Sequence, residues 1–332
     1  MIVARAPLRI SFVGGGTDLP DFYHLYPGKV ISATIDKYVY IVINSTPMIN
    51  KISARYSISE TVDCVKDLKH TRIKAAFLDM DIAPGIEIGS YASLPAKTGL
   101  GSSSSFSVAL IKSLYSYTNR HSTKQEVAEA ACRLEIELIG EPIGKQDQYA
   151  ASFGGFNVFQ FNPDNSVKIK PLLIDHRTQS KLEEHLLLFF TGITRSASEI
   201  LKEQKNNINK KFKVLREMTE FVPKFEKCLI RGDVKRAGNL LHQNWLKKKS
   251  LASKITNPII DKLYQAGIRN GAWGGKLLGA GGGGCVMLFV QPKNRAKVLL
   301  SLKRIAKRNK LKDAKEIPVK FVQSGVDILY SI

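Results

Sequence analysis

The sequence is poor in cysteine, in acidic residues and in long apolar runs, and each shortage removes a class of protein. Four cysteines occur in 332 residues, at positions 64, 132, 228 and 285. No Cys-x-x-Cys pair exists, so neither a zinc site nor a thioredoxin-like redox pair is suggested. Scattered single thiols fit a reducing compartment. No apolar run approaches the roughly 20 residues of a membrane-spanning helix. The longest, 186–190 and 285–290, read as buried strands. Residues 1–9 lack the long apolar core of a secretory signal. A soluble, cytoplasmic protein with no membrane partner is the expectation. Internal repeats and low-complexity tracts are missing as well.

Acidic residues number 29 against 50 lysines and arginines, a formal charge of +21. A nucleic-acid binder would carry such a surplus. The basic stretches 202–213, 247–249 and 293–315 lack the interleaved aromatics that stack on bases, however, and no zinc-finger, RNP or homeodomain pattern occurs. They read as solvated helix faces, no nucleic-acid partner is expected, and the same field would steer an anionic substrate.

Periodicity organises the rest. Residues 2–10, 39–44 and 85–93 carry strand patterns. Helices are predicted over 104–117, with Val108, Ile111 and Tyr115 on one side, and over 124–139, with Val127, Ala131, Leu134 and Leu138 as its stripe. Thr123 and Glu126 make a capping box for the second, and Gly140 stands at its C′ position. Beyond them come a strand at 186–191, a helix opening near Ser196, and long helical segments over 196–228 and 233–253 with Arg231-Gly-Asp233 between. A helix follows from Pro258 to Gly267, then a glycine-dense stretch at 271–284, the strand 285–290, a basic helix and a terminal strand around 319–329. The fold class is α+β, with domains of 1–175 and 176–332.

Three glycine segments stand out: Gly14-Gly-Gly16, Gly99-Leu-Gly101 followed by four serines, and Gly279-Ala-Gly-Gly-Gly-Gly284. The last matches G-x-G-x-x-G, but a strand follows it where a dinucleotide fold needs a helix. Gly275-Lys276 precedes Leu277 rather than Ser or Thr, which excludes a P-loop. The middle segment opens into an amphipathic helix, so exposed N–H groups and the positive helix end form an anion site. Its serine hydroxyls suit Mg²⁺ carried with phosphates. The alternative is a linker whose helix is capped by one of its own serines.

Taken together, Ala6-Pro-Leu-Arg-Ile-Ser-Phe-Val-Gly-Gly-Gly-Thr-Asp18, Pro95-Ala-Lys-Thr-Gly-Leu-Gly-Ser-Ser-Ser104 and Lys276-Leu-Leu-Gly-Ala-Gly-Gly-Gly-Gly-Cys285 resemble the three ordered motifs of the GHMP kinases. Gly144-Lys-Gln-Asp-Gln-Tyr-Ala150 and Phe190-Thr-Gly-Ile-Thr-Arg-Ser-Ala-Ser198 resemble the sugar-1-kinase branch of D-glycero-D-manno-heptose 7-phosphate kinases. The resemblance implies a two-domain fold, with an N-terminal nucleotide and substrate domain packed on a ferredoxin-like C-terminal domain bearing extra helices. It implies an ATP- and Mg²⁺-dependent transfer to the anomeric hydroxyl of the heptose phosphate. Fucose or another hexose is the rival acceptor, and a non-catalytic sugar or nucleotide sensor the rival class. The partners are then a sugar phosphate and ATP, with a homodimer left open.

The same resemblance assigns roles. Asp147 would hold the attacking hydroxyl and take its proton, and Arg9 would stabilise the transferring charge. Lys97, Thr98, Gly99, Leu100, Gly101, Ser102, Ser103 and Ser104 would bind ATP, with Ser102, Ser103 and Glu135 around the metal. Gly14, Gly15, Gly16, Asp18, Arg195, Gly281 and Gly282 would bind the substrate, Arg195 taking its phosphate. Lys97 departs from the family, which usually has glycine there.

Overall fold

The computed structural model describes residues 1–195 and 197–332. In chain order the elements are β1 (Ile2–Val13), α1 (Pro20–Tyr23), β2 (Gly28–Ser45), β3 (Ile52–Arg55), β4 (Ser59–Val62), α2 (Thr71–Asp79), β5 (Ile86–Ala92), α3 (Ser102–Tyr117) and α4 (Lys124–Cys132). They continue with α5 (Gln146–Phe153), β6 (Phe156–Phe161), β7 (Val167–Pro171), α6 (His176–His185), β8 (Leu186–Phe190), α7 (Ala197–Ile230) and α8 (Val234–Lys249). The last are α9 (Pro258–Arg269), β9 (Ala272–Leu277), β10 (Cys285–Val290), α10 (Pro292–Arg308), β11 (Lys315–Glu316) and β12 (Asp327–Ser331).

Two sheets result, giving the α+β architecture anticipated. The first orders β12-β1-β2-β5-β3-β4. Strand β2 is long enough to serve two partners: Val39–Ser45 pairs with β5, and Gly28–Ala33 pairs with β6, which carries β7. The second is antiparallel throughout, in the order β11-β8-β10-β9. Strand β12 returns from the far end of the chain to pair with β1, so the C-terminus closes the first sheet.

Alternation along β1 sends Leu8, Ile10 and Phe12 into the core between the sheets and leaves Arg9 and Ser11 on the opposite face. Phe12 is the centre of that core. Its ring lies 5.4 Å from Phe225, 6.2 Å from Phe321 and 6.3 Å from Phe289.

Several sequence expectations change in detail. The glycine-dense stretch contains strand β9, because Gly274 and Gly275 lie against the carbonyls of Gly238 and Met287, where a Cβ would come within 2.0 Å. Helix α9 runs on to Arg269 and α8 stops at Lys249. The helix opening placed near Ser196 lies outside the described residues. Leu138, predicted in the stripe of the second helix, is 42 % exposed. The reason is a π-helical turn over Arg133–Leu138, with the Ile139 amide donating to the Leu134 carbonyl five residues back. That wider turn rotates Leu138 to solvent and Glu135 into the interior.

Among the described residues no helix is long and apolar enough to cross a membrane. Phe12→Ala is expected to cost about 3–5 kcal/mol of unfolding free energy in chemical denaturation, since it opens a cavity at the meeting of both sheets. A loss under about 1 kcal/mol would mean the core does not depend on that ring.

Candidate active site

Arg9 and Ser11 face the loop before α3 and the start of α5. The Arg9 amide donates to the Leu100 carbonyl at 2.9 Å, and its Nη1 to the Gly99 carbonyl at 2.8 Å. Nε and Nη2 donate to the two carboxylate oxygens of Asp147 at 2.8 and 2.6 Å. Such a fork on a carboxylate fixes orientation as well as distance. Gly101, at φ +80°, lets the guanidinium lie on its Cα, since a Cβ would sit 3.2 Å from the Arg9 side chain.

Helix α3 takes its N-cap from Gly101, and no side chain caps it. No serine of the run caps the helix, as the linker alternative would require. The third glycine loop closes on this one, backbone against backbone. A Cβ on Gly99 would lie 2.6 Å from the Leu278 carbonyl, one on Gly279 2.8 Å from Gly99 Cα, and one on Gly284 2.7 Å from the Thr98 carbonyl. Gly281 and Gly282 pack on the Ile255 backbone and the Ile200 side chain, with Arg195 Cδ 3.3 Å from a Cβ on Gly282. Arg195 itself is exposed.

The first glycine loop divides its work. Gly14 is glycine for packing, since a Cβ would strike the Lys29 carbonyl at 1.9 Å. Gly15 instead faces Ser11 Oγ and Lys248 Nζ, and Gly16 faces Gln204. The Asp18 carboxylate, 5 % exposed, accepts from the Gly16 amide at 2.9 Å and the Gln146 amide at 3.3 Å. Gly144 permits that approach, because a Cβ would fall 2.0 Å from Asp18 Oδ2. Burial pushes the Asp18 carboxyl above its usual range, and the neighbouring Asp147 charge adds to the shift.

Of the residues expected around a metal, Glu135 and Ser103 share one guanidinium, and Ser102 makes no hydrogen bond to either among the described residues. Glu135, fully buried, accepts from Ser104 Oγ at 2.8 Å, Ser107 Oγ at 2.9 Å, Arg72 Nε at 3.2 Å and Gln148 Nε2. Burial pushes its carboxyl upward, and Arg72 opposes the shift. Arg72 also donates to Ser103 Oγ and to both oxygens of Glu141. Ser104 thus spends its hydroxyl on Glu135, while the guanidinium bridges Glu135 and Ser103.

In the loop before α3 Leu100 is buried in the core and engages Arg9 through its backbone carbonyl. The buried Thr98 Oγ1 finds no partner among the described residues. Lys97 adopts φ +64°, left-handed backbone that favours glycine, which accounts for the usual family residue.

Arg72, Gln146, Gln204, Lys248 and Lys276 were not found from sequence. Lys276 is buried and donates to the Ser11 and Phe12 carbonyls at 2.9 and 3.0 Å, clamping β9 to β1. Burial pushes its ammonium well below the usual lysine range. Lys248, read as part of a solvated run, is buried. Its spacing from Leu241, Asn244 and Trp245, all on the buried face, was the available signal.

An uncapped helix start, a carboxylate forked by arginine and a glycine loop packed on the loop before the helix suit a phosphotransferase. The model of the GHMP kinases N terminal domain matches residues 61–155, and that of the GHMP kinases C terminal matches residues 225–306. A D-glycero-alpha-D-manno-heptose 7-phosphate kinase of Campylobacter jejuni is 31% identical, covering 91% of this chain and 93% of that protein. A bifunctional fucokinase/GDP-fucose pyrophosphorylase of Arabidopsis thaliana is 26% identical over 95% of this chain and 31% of its own length, so the chain spans about a third of it. The crystal structure of a D-glycero-D-manno-heptose 1-phosphate kinase from Bacteroides thetaiotaomicron matches in fold, with a TM-score of 0.81 and 23% identity over 100% of both chains. The chain belongs to the GHMP kinases, phosphotransferases with an alcohol group as acceptor and ATP as phosphate donor.

Lys97→Gly is expected to raise the unfolding free energy by about 1 kcal/mol in chemical denaturation, by relieving the left-handed backbone. A decrease would mean that the lysine side chain supplies more stability than its backbone costs.

Proposed function

We propose that the protein is an ATP-dependent sugar kinase that phosphorylates the anomeric hydroxyl of D-glycero-D-manno-heptose 7-phosphate to the 1,7-bisphosphate. The observation that carries the chemistry is the Arg9 fork, which joins the Asp147 carboxylate to the phosphate-loop carbonyl of Gly99. The acceptor assignment leans on the Campylobacter jejuni relative. The fucokinase relative favours the second reading, in which fucose or another hexose is the acceptor.

The reaction needs positioning and charge neutralisation more than covalent work. The acceptor oxygen attacks the γ-phosphorus, the bond to the β-phosphate oxygen breaks, and ADP leaves. Asp147 holds the hydroxyl and takes its proton. Arg9 faces the charge that develops in transfer. The open N–H groups of Ser102, Ser103 and Ser104, with the backbone of Thr98–Gly101 and the Lys97 ammonium, hold the ATP phosphates. Asp18 accepts from sugar hydroxyls, Gly15 and Gly16 let the first loop approach the ring, and Gly281, Gly282 and Arg195 line the end where the substrate phosphate binds. The first domain, 1–175, supplies the phosphate loop and Asp147. The second, 176–332, supplies the closing loop.

The oxygen set of Glu135 with Ser103 and Ser102 suits a hard cation, and a guanidinium already bridges the first two. These residues would hold Mg²⁺ in the place where the Arg72 guanidinium lies between Glu135 and Ser103. When bound, Mg²⁺ neutralises phosphate charge. Four free cysteines, three of them buried, fit a cytoplasmic enzyme.

A coupled ADP-release assay across sugars and sugar phosphates tests the acceptor, with the highest kcat/KM expected for the heptose 7-phosphate. A higher value for fucose or galactose would transfer the assignment. Asp147→Asn is expected to lower kcat between about 100-fold and about 10,000-fold with ATP binding kept; near-normal turnover would remove its role. Arg195→Ala should raise KM for the phosphorylated sugar and spare its unphosphorylated analogue, and equal effects on both would remove that contact.

A further inference from the structure

Helix α8 ends in three lysines with different fates. Lys247 pairs with Glu217, and Lys249 with Asp261 at 3.4 Å. Lys248 turns inward and is 6 % exposed. Among the described residues its hydrogen bond is to the Gly279 carbonyl, at 2.8 Å. A Cβ on Gly15 would lie 3.6 Å from its Nζ, so the ammonium sits between the first and third glycine loops. Gln204 occupies the next place along the same seam. Its Nε2 donates to the Ala280 carbonyl at 3.4 Å, and its Oε1 lies 3.6 Å from a Cβ on Gly16.

Burying a cation is costly unless its protons are used. A lysine has three, and one carbonyl accounts for one. The clamp between β1 and β9 is already made by Lys276, which spends two donors on β1 carbonyls. Lys248 is not needed for that, and it lies beside Gly15, the one glycine of its loop turned to Ser11 and Gln146. The charged groups facing it are the Asp18 and Asp147 carboxylates, the Arg9 guanidinium and the Lys276 ammonium.

We propose that Lys248 is an acceptor-binding residue, whose ammonium holds an oxygen of the sugar next to the hydroxyl that Asp147 faces. The proposal rests on the sugar-kinase reading above. Burial brings this ammonium down to about 8, with Asp18 opposing the shift. Its charge is present below that pH and lost as pH rises through it, so acceptor affinity falls on the alkaline side while ATP affinity does not follow.

The test compares wild type, Lys248→Met and Lys248→Arg in the ADP-release assay. D-glycero-D-manno-heptose 7-phosphate, galactose and fucose serve in turn as acceptor, from about pH 6.5 to about 9.5. In Lys248→Met the acceptor KM is expected to rise about 10- to 100-fold, the worth of a hydrogen bond to a charged group. The ATP KM stays within about twofold, and the alkaline rise in acceptor KM seen in wild type disappears. Lys248→Arg keeps its charge and flattens the same profile, which serves as the readout if the methionine variant does not fold. Acceptor and ATP KM moving together, an unchanged acceptor KM, or an alkaline rise retained in Lys248→Arg would each overturn the assignment and leave the kinase reading intact. A wild type that turns over none of the three sugars would instead remove the sugar-kinase reading, and this proposal with it.

Discussion

One buried guanidinium holds the site together. Arg9 is placed by strand alternation on the face of β1 away from the core, and from there it binds both oxygens of Asp147 and the carbonyl of Gly99. Three segments distant in sequence are thereby fixed to one planar group: the first strand, the loop before α3 and the start of α5. The fork geometry leaves little freedom, because two parallel bonds set the plane of the carboxylate as well as its distance. Gly101 completes the arrangement by having no side chain to displace the arginine. A lysine could neutralise the same charge but could not span the same three partners.

The second constraint is backbone density. The loops around Gly99 and Gly279 touch Cα to carbonyl, a separation that any Cβ forbids. The glycines of the third motif are thus explained without a ligand in view: each lies against another chain segment. Where those loops meet, Lys248 and Gln204 lie on one side and Gly15 and Gly16 on the other. The second sheet meets the first mainly through apolar packing around Phe12.

The large positive charge separates into two populations. Most lysines are accessible to solvent, on helix faces and in loops, where they steer anions and contribute little to stability. A small group lies inside: Arg9, Lys248 and Lys276 are buried around Asp18 and Asp147. These inner cations meet carboxylates and backbone carbonyls in a region of low dielectric, where each interaction counts for more than it would at the surface.

The pattern of residues was enough to reveal β1, β5, β8 and β10, the amphipathic helices with their capping box and the three glycine loops, because these depend on local periodicity and composition. Strands β3, β4, β6 and β7 escaped it, and Arg9, Asp18, Glu135 and Asp147 stood out only through resemblance to the family motifs. It was not enough to find Arg72, or to distinguish Lys248 from the lysines beside it, because a charge pattern does not say which side of a helix meets another element. It misjudged Leu138 for a related reason: a single π turn changes the angular step, and the 3.6-residue period no longer applies past it. By itself the sequence determined which groups were available and in what order. Only tertiary packing decided which of them were stripped of water and set facing one another, since desolvation and contact distance are properties of segments far apart in the chain.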